Sequence, residues 1–191
     1  MGAKALNLGA CMNFGTDGIR GRAGSEMTAA AVKLGNALGQ GGKVIYIGRD
    51  TRASGITLLS ALTAGIIRAG GKAVDLGIMP TAGVAYAVAK SQDADYGVVI
   101  SASHNPEEYN GLKVFDGSGY KLGDKREQAV SKAMEGELSG NYDGIACIDD
   151  KCLNEYINHL VAAGVDLGGM RVLLDCANGA AYDIAPRYLR R

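Results

Sequence analysis

The sequence predicts an α/β fold, a layered α/β/α domain built on a mostly parallel mixed sheet. Short apolar runs of strand length alternate with helical patterns along the chain. One of these runs, Tyr96–Ser101, is almost wholly apolar, as is typical of a strand buried on both faces of a parallel sheet. Glycine is abundant, at 29 of 191 residues, but it follows no fixed period, so it must mark the turns and ends of ordinary elements.

The first part of the chain gives two helices and two strands. Apolar residues at helical spacing predict a helix over Thr28–Leu38, and the β-branched run Lys43–Gly48 predicts the strand that follows it. Ser54 is a candidate N-cap for a second helix, which ends at residues 69–71 before the strand Lys72–Leu76. The apolar stripe of this helix is formed by Leu58, Leu62 and Ile66.

The alternation continues as far as residue 138. Pro80 is well placed as the first residue of a helix that runs through Val88, and the strand Tyr96–Ser101 follows it. Leu112–Phe115 is predicted to be another strand, and Gly123–Leu138 an exposed charged helix. Some antiparallel pairing is expected around residues 112–122.

The composition changes at the loop-like segment Ser139–Gly144, and we place a domain boundary near residue 150. Asp149–Ala163 has the pattern of a helix, and one strand, Met170–Asp175, and one helix, Ala180–Leu189, follow it. A lone strand with one helix cannot cover both faces of a sheet or pair both edges. We therefore expect residues 150–191 to be the truncated start of a second, similar domain.

Charge and cysteine content exclude several classes of protein. The 20 basic and 20 acidic side chains balance, so any phosphate site must be local. No apolar run approaches the roughly 18 residues of a membrane span. The cysteines are Cys11, Cys147, Cys152 and Cys176. Because only two histidines accompany them, neither a disulfide framework nor a zinc site is expected, and reduced thiols in a cytoplasmic protein are the simplest interpretation.

A polar segment, Ser101–Pro106, stands where the chain leaves an apolar strand, which is where open α/β sheets bind ligands. Asn105 and Pro106 favour a turned or extended backbone, so Ser103 and His104 would lie on a defined loop. The alternative is an ordinary turn in which His104 only bonds nearby backbone. The sequence contains no Walker loop, no Gly-x-Gly-x-x-Gly after a strand and no Gly-x-Ser-x-Gly elbow.

Two further segments combine glycine with Arg and Asp: Phe14–Gly21 before the first helix, and Gly48–Gly55 between a strand and a helix. Such segments suit phosphate, because glycine lets backbone N–H groups approach an anion and the Arg fork binds its oxygens. The alternative is that Asp–Arg pairs and glycine turns only hold loops together. For Gly48–Gly55 that alternative is at least as well supported.

Together these segments resemble the α-D-phosphohexomutases, in the family's own order over nearly the whole chain. The segments that carry the resemblance are Phe14–Gly21, Gly48–Gly55, Ile100–Pro106, Asn110–Lys113 and Asp175–Ala180. The wording Phe-Gly-Thr-Asp-Gly-Ile-Arg-Gly and Ile-Ser-Ala-Ser-His-Asn-Pro favours the bacterial branch that acts on glucosamine phosphates over the phosphomannomutases and phosphoglucomutases. Tyr109 departs from that branch, which has Asp before the Asn-Gly pair.

The resemblance implies that Ser103 carries phosphate and acts as phosphoserine. It would phosphorylate O1 of glucosamine 6-phosphate, the 1,6-bisphosphate intermediate would turn over in the site, and the 6-phosphate would return to Ser103. The net product is glucosamine 1-phosphate. The resemblance therefore implies a small hexosamine phosphate as partner, with no nucleic acid and no membrane.

Site residues follow from the same resemblance. Arg20 suits charge stabilisation, and Lys113 suits either that or acid–base work at the sugar hydroxyl, unless it is a solvated strand residue. His104 either orients the phosphate, assists proton transfer or is structural. The candidates for substrate and phosphate binding are Thr16, Asp17, Gly18, Asn105 and Asn110.

The resemblance also implies Mg²⁺, with Ser103 as a ligand through its phosphate. The family completes that site with an Asp-Gly-Asp-Gly-Asp-Arg loop in its second domain, which this sequence lacks, so the chain alone is expected to be inactive. We expect residues 1–11 to be a leader or tag and residues 12–149 to form the domain of the catalytic serine. Homo-oligomerisation through residues 150–191 stays open. The alternatives are a phosphomannomutase or phosphoglucomutase fragment, or a non-catalytic phosphosugar- or partner-binding module.

Overall fold

The computed structural model describes residues 18–191, and these form a six-stranded sheet with helices on both faces. The strands are β1 (Ile19–Arg22), β2 (Val44–Arg49), β3 (Lys72–Ile78), β4 (Tyr96–Ile100), β5 (Tyr109–Asp116) and β6 (Ile145–Ile148). The helices are α1 (Ser25–Gly39), α2 (Ser54–Arg68), α3 (Thr81–Lys90), α4 (Asp124–Glu135), α5 (Cys152–Ala163) and α6 (Ile184–Leu189).

The sheet is mixed, as predicted. Its strand order is β1-β5-β4-β2-β3-β6. The pairs β4–β2, β2–β3 and β3–β6 are parallel, whereas β5 runs antiparallel to both β4 and β1. The antiparallel pairing predicted around residues 112–122 is confirmed by β5 and by a bridge between Phe115 and Lys121.

One face of the sheet is covered by α1, α2 and α4. Ile45, Ile47 and Ile100 point from the central strands into this layer and are fully buried. The helices α1 and α2 approach closely through glycine: a Cβ atom on Gly35 would lie 2.1 Å from the Leu62 carbonyl oxygen. This contact lets two helical backbones pack against each other above the sheet.

The other face is covered by α3 and α5. Val84 and Val88 of α3 and Ile157 of α5 are buried in one cluster with Val99 of β4. Because β4 has neighbours on both sides and helices on both faces, it is buried from Gly97 to Ile100, as the sequence predicts. None of the helices within residues 18–191 combines the length and the apolar character needed to cross a bilayer.

Two edge strands were missed by the sequence patterns. β1 contains Gly21 and two arginines, and β6 is only the four residues Ile-Ala-Cys-Ile, so neither shows the apolar–polar alternation that marks a strand. Both form because the neighbouring strands, β5 and β3, offer free backbone groups for pairing.

The strand predicted at Met170–Asp175 is wrong: these residues adopt no regular structure. Met170 is 68% exposed and Leu173 is 99% exposed. An extended apolar segment becomes a strand only where another strand pairs with it, and no such pair forms for this segment within residues 18–191. The predicted helix Ala180–Leu189 is present but shorter, as α6.

The start of α2 also differs from the prediction. The N-cap of this helix is Ala53, with no side-chain cap, and Ser54 is its first residue. The Ser54 hydroxyl instead accepts a hydrogen bond from the Asn110 side-chain amide at 2.9 Å. Ser54 is therefore a tertiary contact to β5 and not the cap of its own helix.

Candidate active site

The serine loop, residues 101–109, leaves the carboxyl end of β4 between two neighbouring strands. The Ser101 amide donates to the Gly111 carbonyl of β5 at 2.9 Å, and the Asp50 amide donates to the Ile100 carbonyl at 3.0 Å. Ser101 is buried and Ser103 is exposed. The root of the loop is therefore fixed to the sheet while its tip presents Ser103 to solvent.

Ser103 has a left-handed backbone, with φ +58°. For a residue other than glycine this conformation costs on the order of 1–3 kcal/mol and persists only where the surroundings hold it. The Ser103 amide donates to the Ser101 hydroxyl at 3.0 Å, which fixes one side of the residue. The Ser103 hydroxyl lies 3.5 Å from His104 Nδ1, at the limit of a hydrogen bond.

Arg52 fixes the other side of the loop. Its two terminal nitrogens donate to four carbonyl oxygens, those of Ser103 (2.9 Å), Asn105 (2.7 Å), Pro106 (2.6 Å) and Tyr109 (3.1 Å). Its Nε donates to the Asp50 carboxylate at 3.0 Å, and both of these side chains are only 11% exposed. For Arg52 these contacts favour the interpretation that Gly48–Gly55 holds loops together.

Asn110, a candidate ligand for substrate, is completely buried at the start of β5. Its amide nitrogen donates to the Ser54 hydroxyl, and its side-chain oxygen accepts from the Gly111 amide at 2.8 Å. These contacts join β5 to α2 beneath the serine loop. They give Asn110 a structural role in the described chain.

Arg20 and Lys113 are brought to the same face of the sheet. Arg20 pairs with Gly111 across β1 and β5, and Lys113 lies two residues further along β5, so the two side chains share a face. Both are half-buried. Thr16 and Asp17, the other candidates from the first glycine segment, lie outside the described residues.

Gly18 lies directly against β5. It has φ +86°, and a Cβ atom there would be 2.2 Å from the Leu112 carbonyl oxygen, so no other residue fits without moving the backbone. Gly18 and Lys113 line one cavity of about 220 Å³ together with the Lys121–Glu127 ion pair. The structure thus places Gly18 and Lys113 around a common space.

The Asp175–Ala180 segment reaches the same edge of the sheet. The Thr51 hydroxyl, which directly precedes Arg52, donates to the Asn178 carbonyl at 2.5 Å. Ala177 and Asn178 both have positive φ, at 48° and 53°. The segment therefore forms a tight turn against the loop that carries Arg52, although the strand predicted before it is absent.

Residues 12–140 match the family described as phosphoglucomutase/phosphomannomutase, alpha/beta/alpha domain I. The chain belongs to this family. The α/β fold predicted from the sequence is thus that of a phosphohexomutase first domain.

Relatives within the family are similar over most of this chain. It is 46% identical over 193 residues to a phosphoglucosamine mutase of Symbiobacterium thermophilum, covering 93% of this chain and 43% of that protein. A phosphoglucosamine mutase of Clostridium tetani is 47% identical over 189 residues, covering 88% and 41%. The chain therefore spans less than half of the length of these relatives.

A solved structure supports the same family. The phosphoglucomutase/phosphomannomutase family protein of Burkholderia thailandensis superposes with a TM-score of 0.80 at 27% identity. The match covers 95% of this chain and 42% of that protein. The family fold therefore extends over most of the described residues.

The described residues do not complete a magnesium site. No group of three or more His, Cys, Asp or Glu side chains within residues 18–191 is placed to hold a metal ion. Mg²⁺ prefers several oxygen ligands in octahedral geometry, so it needs more ligands than the Ser103 oxygen alone. Residues 18–191 by themselves therefore do not supply enough ligands for Mg²⁺.

Arg52 and Asp50 are the site residues that sequence reasoning did not single out. The signal for them was present, because Asp50-Thr-Arg52 follows β2 and the serine loop follows β4, and the carboxyl ends of adjacent parallel strands meet at one edge of a sheet. The four carbonyl contacts of Arg52 depend on the loop's path, which no sequence pattern specifies.

Proposed function

We propose that this chain is the serine-carrying part of a phosphoglucosamine mutase, which interconverts glucosamine 6-phosphate and glucosamine 1-phosphate. The observation that carries the proposal is Ser103, which is held exposed on a loop fixed at its root and along its carbonyl side. The relatives named phosphoglucosamine mutase support the choice of sugar phosphate. The whole enzyme's activity is proposed for the longer protein that these relatives represent.

In the proposed cycle Ser103 carries a phosphoryl group on Oγ. The O1 hydroxyl of glucosamine 6-phosphate attacks this phosphorus, the P–Oγ bond breaks, and glucosamine 1,6-bisphosphate forms. After the bisphosphate turns over, Oγ attacks the 6-phosphate and glucosamine 1-phosphate leaves. A phosphoserine with about −1.5 to −2 charge needs nearby cations, and Arg20 and Lys113 are the proposed ones.

The proton of the attacking hydroxyl needs an acceptor. Lys113 and His104 are the two proposed groups, and His104 Nδ1 lies 3.5 Å from Ser103 Oγ. Mg²⁺ would stabilise charge on the transferred phosphoryl group. Because the described residues do not complete its site, we assign its remaining ligands to the rest of the longer protein.

Three further predictions from the sequence stay proposals: a boundary near residue 150, association through residues 150–191, and a cytoplasmic location. The proposed location rests on the sequence, whose four scattered cysteines do not have the pattern of a disulfide framework. Exposed apolar side chains at Val172 and Leu173 offer a surface for a partner segment or a second copy.

The test is a chimera in which this chain replaces the matched segment of the Symbiobacterium thermophilum relative. The chimera should convert glucosamine 6-phosphate to glucosamine 1-phosphate, and ³¹P NMR measures this conversion. Ser103→Ala should abolish turnover, because the oxygen that carries the phosphoryl group is gone. For the same reason, the intact mass of this variant should show no attached phosphoryl group. Ser118→Ala, at an exposed serine of the β5–α4 turn, is the matched control and should keep both.

Normal turnover by Ser103→Ala would overturn the proposed function. Faster turnover of mannose or glucose phosphates than of glucosamine phosphate would move the assignment to another branch of the family. An inactive chimera, with tight binding of hexose phosphates to the isolated chain in calorimetry, would favour the non-catalytic binding module.

A further inference from the structure

We propose that Arg52 is a positioning residue that aims Ser103 by holding the carbonyl side of the serine loop. The inference deepens the proposed function and rests on it for its catalytic consequence. A guanidinium group has five N–H donors in a rigid planar fork. In this structure Nε has one acceptor and each terminal nitrogen has two, so all five donors are used.

The acceptors span most of the serine loop, which makes Arg52 a clamp and not a single contact. They are the carbonyls of Ser103, Asn105, Pro106 and Tyr109. The two that flank His104 are held by one nitrogen, at 2.9 Å and 2.7 Å. Lysine has three donors on a flexible stem, so it cannot reproduce this pattern.

The contact to Ser103 acts on a strained residue. The Ser103 amide is held by the Ser101 hydroxyl, and its carbonyl is held by Arg52. These two contacts lie on either side of the residue whose φ is +58°. Without Arg52 the loop loses the restraint on its carbonyl side, and Ser103 can relax toward a common conformation with its hydroxyl aimed elsewhere.

Asp50 fixes the clamp itself. Its carboxylate accepts from Arg52 Nε at 3.0 Å and from the Arg52 backbone amide at 3.1 Å. The Asp50 amide donates to the carbonyl of Ile100, the last residue of β4. Asp50 therefore connects the Arg52 guanidinium to β4, the strand from which the serine loop starts.

The first measurement is amide hydrogen exchange on the chain itself. Arg52→Lys should speed exchange of the Asn105 and Tyr109 amides, which bond carbonyls within the loop, by about tenfold or more. The matched control is Arg68→Lys, which changes an arginine that bonds the Leu138 carbonyl and the Tyr142 hydroxyl. That control should speed exchange near residue 142 and leave the serine loop unchanged.

The second measurement uses the chimera described above. Arg52→Lys should lower kcat by about 10- to 100-fold with little change in KM, because a misaimed phosphoserine affects transfer more than sugar binding. Arg68→Lys should leave both parameters near the parent values. If Arg52→Lys fails to fold, Asp50→Asn, which loosens the clamp without removing it, should shift exchange and kcat in the same direction.

The outcomes separate the two proposals. Unchanged loop exchange in Arg52→Lys overturns the positioning role whatever the chimera does. Faster exchange with unchanged kcat in an active chimera overturns the catalytic consequence. An inactive parent chimera, or a Ser103→Ala variant that still turns over, counts against the proposed function, while loop exchange still decides whether Arg52 is a clamp.

Discussion

At the scale of single residues, burial sets the chemistry of the cysteine thiols. Cys152 begins α5 and is only 4% exposed. Burial raises the pKa of its thiol to about 12, and the nearby carboxylates of Asp149 and Glu155 add to the shift. Cys147 lies five residues earlier in β6 and is exposed. Since the thiolate is the nucleophile, the two thiols should react very differently.

We predict that iodoacetamide at pH 8 modifies Cys147 in the folded chain and leaves Cys152 intact, as read by peptide mass spectrometry. Unfolding in urea should make Cys152 react as well. Cys147→Ala is the control, and it should leave Cys152 protected. Equal labelling of both thiols in the folded chain would contradict the burial of Cys152.

The same shift gives a pH dependence with a definite sign. The folded pKa of Cys152 lies above the ordinary value of 9.0, so the folded state holds the proton more tightly. This contribution to stability is fully present below about pH 9 and is lost as the pH rises toward 12. The stability of the parent chain should therefore fall relative to Cys152→Ala above pH 9.

At the scale of elements, two glycines set the approach of α1 and α2. A Cβ atom on Gly65 would lie 2.1 Å from the Val32 carbonyl oxygen, and one on Gly35 would lie equally close to the Leu62 carbonyl. Gly55, in the same helix as Gly65, is different, because its nearest contact would be Arg49 Cδ at 3.4 Å. A substitution at Gly65 therefore tests the packing of α1 against α2, whereas one at Gly55 tests helix propensity alone.

We predict that Gly65→Ala destabilises the chain by about 1–3 kcal/mol or more, because the added methyl group forces two backbones apart. Gly55→Ala should be neutral or stabilise by up to about 1 kcal/mol through helix propensity. Urea unfolding followed by circular dichroism measures both. A neutral Gly65→Ala would mean that α1 and α2 pack less closely than in this structure.

The elements also differ in how far sequence predicts them. β2, β3 and β4 were predicted because each is an apolar run at or near the centre of the sheet. β1 and β6 were missed, because an edge strand owes its structure to pairing with a distant segment and not to its own pattern. Met170–Asp175 fails for the opposite reason, since its pattern is strand-like but no strand pairs with it in the described chain.

At the scale of the whole molecule, α5 completes the second helical layer. Tyr156 and Ile157 are buried in the cluster of α3, and Tyr86 of α3 stacks on His159 with ring centroids 4.4 Å apart. Beyond α5, Leu173 is almost fully exposed, whereas Ile184 of α6 is buried. Although α5 follows the proposed boundary at residue 150, its buried side chains therefore stabilise the helical layer formed with α3.

We predict that a chain ending at Gly164 unfolds cooperatively. Its free energy of unfolding should be lower by about 1.5–3 kcal/mol, because the burial of the Ile184 side chain is lost. A chain ending at Asp150 should lose several times more, because the apolar face of α3 would be exposed to water. Urea midpoints of the two shortened chains, compared with the parent, test this. Equal stability of both would place the end of the first folding unit before α5.

The sequence by itself determined the α/β class, the central strands, the family and Ser103 as the candidate phosphate carrier. The fold class and the central strands follow from apolar periodicity and glycine turns, whereas the family and the role of Ser103 follow from the resemblance that short motifs in a fixed order carry. Only the tertiary structure decided that Arg52 clamps the serine loop and that Asn110 is buried against Ser54. The physical reason is that hydrogen bonds between segments about fifty residues apart depend on how strands and helices pack, and a local pattern carries no record of that packing.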